Sequence, residues 1–230
     1  MVKMISLGPN DIDAIFLSGK VAAVAVAGSL PVGFAVAYLM TYLKFRGKLL
    51  MEVLITLPLT LPPVVIGYFL LLLLGKKGWL GPLLESAGIR LIFTWKAAVI
   101  ASAVVGFPLL VRSIRIGMES IDPQLIQASR TLGAPWYDTL FTIILPLSIR
   151  GILAGSSLMF ARSLGEFGAT IIVAGNIPGV TQTIPLAIYE YASSPTSETM
   201  ALSLCIVSVS MALGILFLHE VLGKKLSQRR

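Results

Sequence analysis

The chain has 230 residues, 56% of them hydrophobic and 13% charged, with a net charge of +7. An average soluble domain carries about 45–50% apolar and about 25% charged residues, so this composition argues against an ordinary soluble fold. The cations stand in short groups between apolar runs and not on one basic face, which disfavours nucleic acid, and the single cysteine, Cys205, leaves no disulfide framework and no cysteine metal cluster.

Crossing hydrocarbon takes about 20 apolar residues in helical form, because backbone groups in lipid must be satisfied within their own segment. Val21 to Leu43 and Val53 to Gly75 are uncharged runs of 23 residues each, and a helix of that size measures about 34 Å. The first runs on well past the small-residue stretch Ala25-Val26-Ala27, the place for a signal-peptidase cut, so it reads as an uncleaved span. In the second, Pro58, Pro62 and Pro63 remove N–H donors and predict a bend or break, either lining a path or simply packed. Leu91 to Val111 is apolar apart from Lys96, whose stem can reach toward headgroups, and forms the third span.

Residues 119 to 151 follow. Asp122 is placed to cap a helix that Pro123 begins, Gly133 supplies a left-handed stop, and Pro135 follows it. This predicts a helix within 122–135 of about ten residues, roughly 15 Å and too short to span. Leu125, Ala128, Ser129 and Leu132 recur at i, i+3, i+4 and i+7, a narrow face of small and apolar groups. Amphipathicity alone is equally met by a helix lying on lipid.

Thr139 to Ala174 is apolar but carries Arg150, Arg162 and Glu166, and it reads as one long span, with a span plus a re-entrant piece as the alternative. Arg162 and Glu166, four apart, share a helix face past the middle of the bilayer. Ionisable residues there are costly unless paired or wetted, so the pair either shapes a gate or only locks helices together. Gly151-x-x-x-Gly155, followed by Ser156 and Ser157, offers a small-residue face for contact between chains or within one. Thr199 to Leu218 is the last of five expected spans. Lys44, Arg46 and Lys48, then Arg112, Arg115 and Arg130, then Lys224, Lys225, Arg229 and Arg230 place three regions in the cytoplasm, including the C-terminus, and the N-terminus outside. Lys76, Lys77 and Arg90 count against this orientation.

Gln127-Ala128-Ser129, three residues, Gly133, nine residues, then Ile143-x-Leu145-Pro146 resembles the signature loop of binding-protein-dependent ABC importer permeases, Glu-Ala-Ala with the same spacing to Gly and Ile-x-Leu-Pro. Gln127 stands for the family's Glu and Ser129 for its second Ala, so an ion pair to an ATPase is doubtful there and helix docking is not. The segments at 57–81, 107–115, 161–170 (Ala-Arg-Ser-Leu-Gly-Glu-Phe-Gly-Ala-Thr) and 176–189 extend the resemblance over nearly the whole chain, toward the molybdate branch. Sulfate permeases share the Leu-Gly-Glu-Phe-Gly core, so sulfate and tungstate stay open.

The resemblance implies an all-α, polytopic helical bundle of the type I importer kind, one transmembrane permease domain over residues 1–230, in a prokaryotic cytoplasmic (inner) membrane. It also implies a homodimer, two cytoplasmic ABC ATPase subunits holding ATP and Mg, and an extracytoplasmic oxyanion-binding protein. On it, Asp122, Gln127, Ala128, Ser129, Arg130, Gly133, Leu145 and Pro146 are the ATPase-coupling candidates, and Pro62, Pro63, Arg162, Ser163, Gly165 and Glu166 the pathway or gate candidates. Residues 176–198, with Tyr189 and Tyr191, are either a landing surface for the binding protein or a solvated loop.

No Walker loop of the form GxxxxGK[ST] occurs, so the chain is not expected to hydrolyse ATP or hold a cofactor. The only histidine, His219, lies beside the basic tail, away from the intramembrane serines, which disfavours a hydrolase. An ion-coupled carrier would show internal repeats or more buried carboxylates, and a scaffold would not account for the spaced docking pattern.

Overall fold

Prolines and glycines decide where the apolar runs divide into separate helices. The computed structural model describes residues 7–194 and 197–227. Its helices are α1 (Pro9–Tyr42), α2 (Lys48–Thr60), α3 (Pro63–Leu74), α4 (Gly81–Ser86), α5 (Trp95–Glu119), α6 (Pro123–Thr131), α7 (Trp136–Thr139), a π-helical turn (Leu140–Ile144), α8 (Leu145–Leu147), α9 (Ile149–Leu164), α10 (Gly168–Val173), α11 (Ile184–Ala192) and α12 (Glu198–Ser227). Among the described residues there is no strand.

Helices α1, α5 and α12 are each long and apolar enough to cross a membrane, and two bent pairs bring the number to five if each pair is one span. The first pair, α2 with α3, breaks at Leu61-Pro62 with a bend of 114°. The second, residues 136–147 with α9, bends by 63°. The 139–174 segment is thus not one straight helix: it breaks at Ser148 and again between Leu164 and Gly168, which fits either one broken span or a span with a re-entrant piece. Composition shows how much of a segment is apolar, but not where its backbone hydrogen bonds change partners.

Helices α1 and α5 run in the same direction. At one end the Tyr42 hydroxyl donates to the Met118 carbonyl at 3.1 Å, and Arg115 meets Glu52 of α2 at 2.9 Å. At the other, Lys20 lies over the Trp95 ring at 4.2 Å. The first end also carries α6; the opposite end carries residues 75–94, the 165–183 segment and α11. Lys44, Arg46 and Lys48 therefore share an end with Arg115 and Arg130, and Lys76, Lys77 and Arg90 occupy the other. Arg229 and Arg230 lie outside the described residues.

The central packing is of α1, α5 and α9. A side-chain carbon on Gly151 would meet Gly117 Cα at 2.8 Å, and one on Gly155 would meet the Leu110 carbonyl oxygen at 2.9 Å, so the two glycines let α9 lie directly on α5. Between apolar helices in lipid such close approach is a main source of cohesion, since leaving lipid for protein gains little hydrophobic energy. The Gly-x-x-x-Gly face is thereby occupied inside the chain. Near the α6 end, Ile114 and Met118 of α5, Ile126, Ile144, Ile152 and Met159 form one apolar cluster; Ile66, Leu70, Ala101, Val105, Ala169 and Val173 form a second toward the opposite end.

Candidate functional site

Two arrangements gather the candidate residues. The first is α6. Asp122 caps it by accepting a bond from Gln124 N at 2.9 Å, Pro123 starts it, and Gly133 at φ +83° ends it in the left-handed region. One face turns inward: Ile126 is buried in the core, and Ser129 Oγ lies 2.8 Å from Thr139 Oγ1. The other face is open, with Leu125 half-exposed and Leu132 87% exposed, and Asp122, Gln127, Ala128, Arg130 and Gly133 are exposed with it.

The expected narrow face stays together: Leu125, Ala128, Ser129 and Leu132 line one shallow concavity of about 520 Å³ with Asp138 and Ile143, and Ser129 also meets Thr139. Leu145 and Pro146 lie after the π-helical turn, Leu145 against the core cluster and Pro146 exposed. Ile126 and Thr139, which fix α6 in place, escaped the sequence reading. The apolar character of Ile126 was visible, but the side it faces was not.

The second arrangement is where the two broken helices meet. A side-chain carbon on Gly168 would lie 3.0 Å from Pro63 Cβ, and one on Gly67 would lie 2.8 Å from the Ala169 carbonyl oxygen, so the starts of α3 and α10 touch backbone to backbone. Gly168 is brought against Pro63 in this way; Ser163 and Glu166, just before it in the chain, are buried, and Pro62 and Gly165 are exposed.

Arg162 Nη1 stands 2.8 Å from Glu166 Oε2, with the arginine side chain 32% exposed and the carboxylate 1%. The expectation that both share one helix face is corrected: α9 ends at Leu164, and the Glu166 amide turns back to the Ser163 carbonyl at 3.2 Å. The pair forms across that turn. The other carboxylate oxygen, Oε1, accepts from the Ala169 amide at 2.9 Å and so caps α10. Oε2 has no linear hydrogen bond, so its contact with Arg162 is chiefly charge on charge; Ser163 Oγ is buried without a partner. A guanidinium that is one-third exposed, held by a buried carboxylate at the crossing of two helix breaks, can present positive potential to an anion while remaining paired.

Glu190 closes the opposite end. Its Oε2 accepts from Asn176 Nδ2 at 2.8 Å and Gln182 Nε2 at 2.6 Å. The Tyr191 hydroxyl donates to Asp11 Oδ1 at 2.8 Å, and burial first, then that hydrogen bond and the Asp11 and Glu190 charges, push its phenol up to about 12. These contacts hold residues 176–183 and α11 against the start of α1.

Residues 29–228 match the family described as the binding-protein-dependent transport system inner membrane component. The chain is 48% identical over 212 residues to the Molybdenum transport system permease protein ModB of Escherichia coli (strain K12), covering 92% of this chain and 93% of that one. It is 49% identical over 220 residues to the protein of the same name from Haemophilus influenzae, covering 95% and 96%. Among solved structures it resembles the MetNI methionine ABC transporter in an inward-facing form, with a TM-score of 0.72 at 15% identity over 94% and 95% of the two chains, a likeness of fold.

Proposed function

The chain belongs to the family of binding-protein-dependent transport system inner membrane components, and from that premise we propose that it moves an oxyanion, molybdate, into the cytoplasm, with tungstate or sulfate as the alternative cargo. The choice of molybdate follows the names of the relatives at 48% and 49% identity. The permease is multi-pass and not itself catalytic. ATP and its Mg ion are held by a separate cytoplasmic ATPase, two copies of which serve a homodimer of this chain. A soluble binding protein delivers the oxyanion at the opposite end, where the segment held by Glu190 is exposed.

The observation that carries the coupling role is α6, a capped helix of nine residues that spans nothing and presents Leu125, Ala128 and Leu132 outward at one end of the bundle. Docking of that face into the ATPase fixes α6 to it, and the Ser129–Thr139 contact passes displacement to the π-helical turn and α9. Asp122, Gln127, Arg130 and Gly133 serve the docking, Gln127 by hydrogen bonding since it lacks charge. The α6 end, and with it the C-terminus, is cytoplasmic. At the far end of α9, Arg162, Ser163, Gly165 and Glu166 with Pro62 and Pro63 form the gate.

The test is uptake of radiolabelled molybdate into proteoliposomes holding the permease with its ATPase, binding protein added outside. ATP-dependent uptake reduced by excess tungstate but not by equimolar sulfate is expected. Uptake that proceeds without any ATPase, driven by an ion gradient, would sink the reading.

A further inference from the structure

The outer hairpin between α3 and α5 is accounted for neither by transport nor by the charge rule for membrane loops. Lys76, Lys77 and Arg90 all sit there, at the end away from α6, where a loop in water is expected to be poor in cations. The same segment exposes apolar groups that a solvated loop would not. Trp79 is 92% exposed and Leu83 68%, with Leu80 and Ile89 beside them. Tryptophan and snorkelling lysine together mark the headgroup level of a bilayer.

In the same segment a cavity of about 290 Å³ is lined by Leu71, Leu74, Leu84, Ile92 and Phe93, and by the charged Lys76, Glu85 and Arg90. Its wall is fixed: the Leu80 amide donates to the Leu73 carbonyl, the Ile89 amide to the Leu84 carbonyl, and the Phe93 amide to the Val173 carbonyl of α10, each within 2.9 Å. The carboxylate facing the cations is Glu85, 3.5 Å from Lys76 with both side chains well exposed, a pairing that leaves the positive charge largely free.

We propose that residues 75–93 form a binding site for an anionic phospholipid, its phosphate among Lys76, Lys77 and Arg90 and an acyl chain in that cavity. The site anchors the outer ends of α3 and α5 in the leaflet away from α6. Cations that count against the topology in a water-exposed loop are then where a headgroup needs them. The inference rests on the proposed orientation, with the α6 end cytoplasmic, but not on the identity of the transported anion, so the two stand or fall separately.

The full-length permease by itself in lipid vesicles, with no other protein to contribute tryptophan emission, tests it by fluorescence. The chain has three tryptophans; with Trp95→Phe and Trp136→Phe, Trp79 alone reports. Brominated phosphatidylglycerol, dilute in phosphatidylcholine, is expected to quench Trp79 several-fold more than brominated phosphatidylcholine at the same mole fraction. The preference should fall by about two- to fivefold for each of Lys76→Gln, Lys77→Gln and Arg90→Gln, and rise in Glu85→Gln, which guards against loss by misfolding. Equal quenching by the two lipids, a preference unaltered by the charge variants, or one abolished by millimolar inorganic phosphate would overturn the proposal. So would protection of Trp79 from both lipids by the soluble binding protein, which would give the surface to a protein partner.

Discussion

Glu166 ties two helices together: its carboxylate holds Arg162 of α9 with one oxygen and caps α10 with the other, while its backbone amide closes the turn between them on the Ser163 carbonyl. Arg162→Met leaves that buried carboxylate unpaired, and we expect a loss of roughly 3 kcal/mol in stability, read as a lowered unfolding temperature in detergent. Arg162→Met with Glu166→Gln should recover most of the stability and none of the uptake. Assembly and transport both persisting in Arg162→Met would remove the gate role. Tyr191 offers a pH test at the same scale. With its phenol raised to about 12 from 10, the folded state binds more protons than the unfolded chain between those values, so its contribution is fully present below pH 10 and is lost as pH rises toward 12. The stability difference between the native chain and Tyr191→Phe should therefore narrow over that window; a constant difference would show that the phenol titrates normally.

Between α6 and α9 the chain passes through a four-residue helix, a π-helical turn and a three-residue helix before the elbow at Ser148. Such irregular runs are common where a helix must bend in function, and the Ser129–Thr139 contact is what joins α6 to this one. Ser129→Ala leaves Thr139, which is 3% exposed, without that partner. ATPase activity should persist while molybdate moved per ATP falls, by about threefold if one net hydrogen bond of roughly 0.5–1 kcal/mol carries the coupling. An unchanged ratio would confine Ser129 to packing. The α5–α9 crossing makes a sharper demand. In Gly151→Ala the new methyl would stand 2.6 Å from the Ser113 carbonyl oxygen, and displacing that backbone should cost about 1–3 kcal/mol, measured as a lower unfolding temperature of the purified permease.

At the scale of the whole molecule, the two ends carry different chemistry, and side-specific labelling tests which one faces the cytoplasm. In a Cys205→Ser background, Lys77→Cys should react with an impermeant maleimide in intact cells, and Arg130→Cys only after the membrane is opened. The reverse pattern would invert the topology and with it the coupling role of α6. Since the Gly-x-x-x-Gly face is taken up by α5, the proposed homodimer would need another surface. The peripheral α12, of whose most apolar stretch only 17% is buried, still exposes Leu202, Val209, Leu213 and Phe217. Mass measurement of the assembled transporter in nanodiscs should give two permeases with two ATPases; a complex of one with one would exclude the dimer.

The membrane class, the three unbroken spans and α6 were legible in the sequence because each depends on near neighbours: a long apolar run, a capping Asp122 beside Pro123, and a Gly133 able to take positive φ. Pro62 and Pro63 likewise foretold a break, since a missing N–H acts wherever it stands. What no run of residues could state was partnership across the fold. Ser129 and Thr139, ten positions apart, and Gly117 and Gly151, thirty-four apart, meet only once the helices are packed. Arg162 and Glu166 were paired correctly in sequence but for the wrong reason, since a turn and not a shared helix face joins them. Helical period follows from local backbone geometry, whereas the crossing of α10 over Gly67 follows from how closely two backbones can approach, which only the tertiary structure decided.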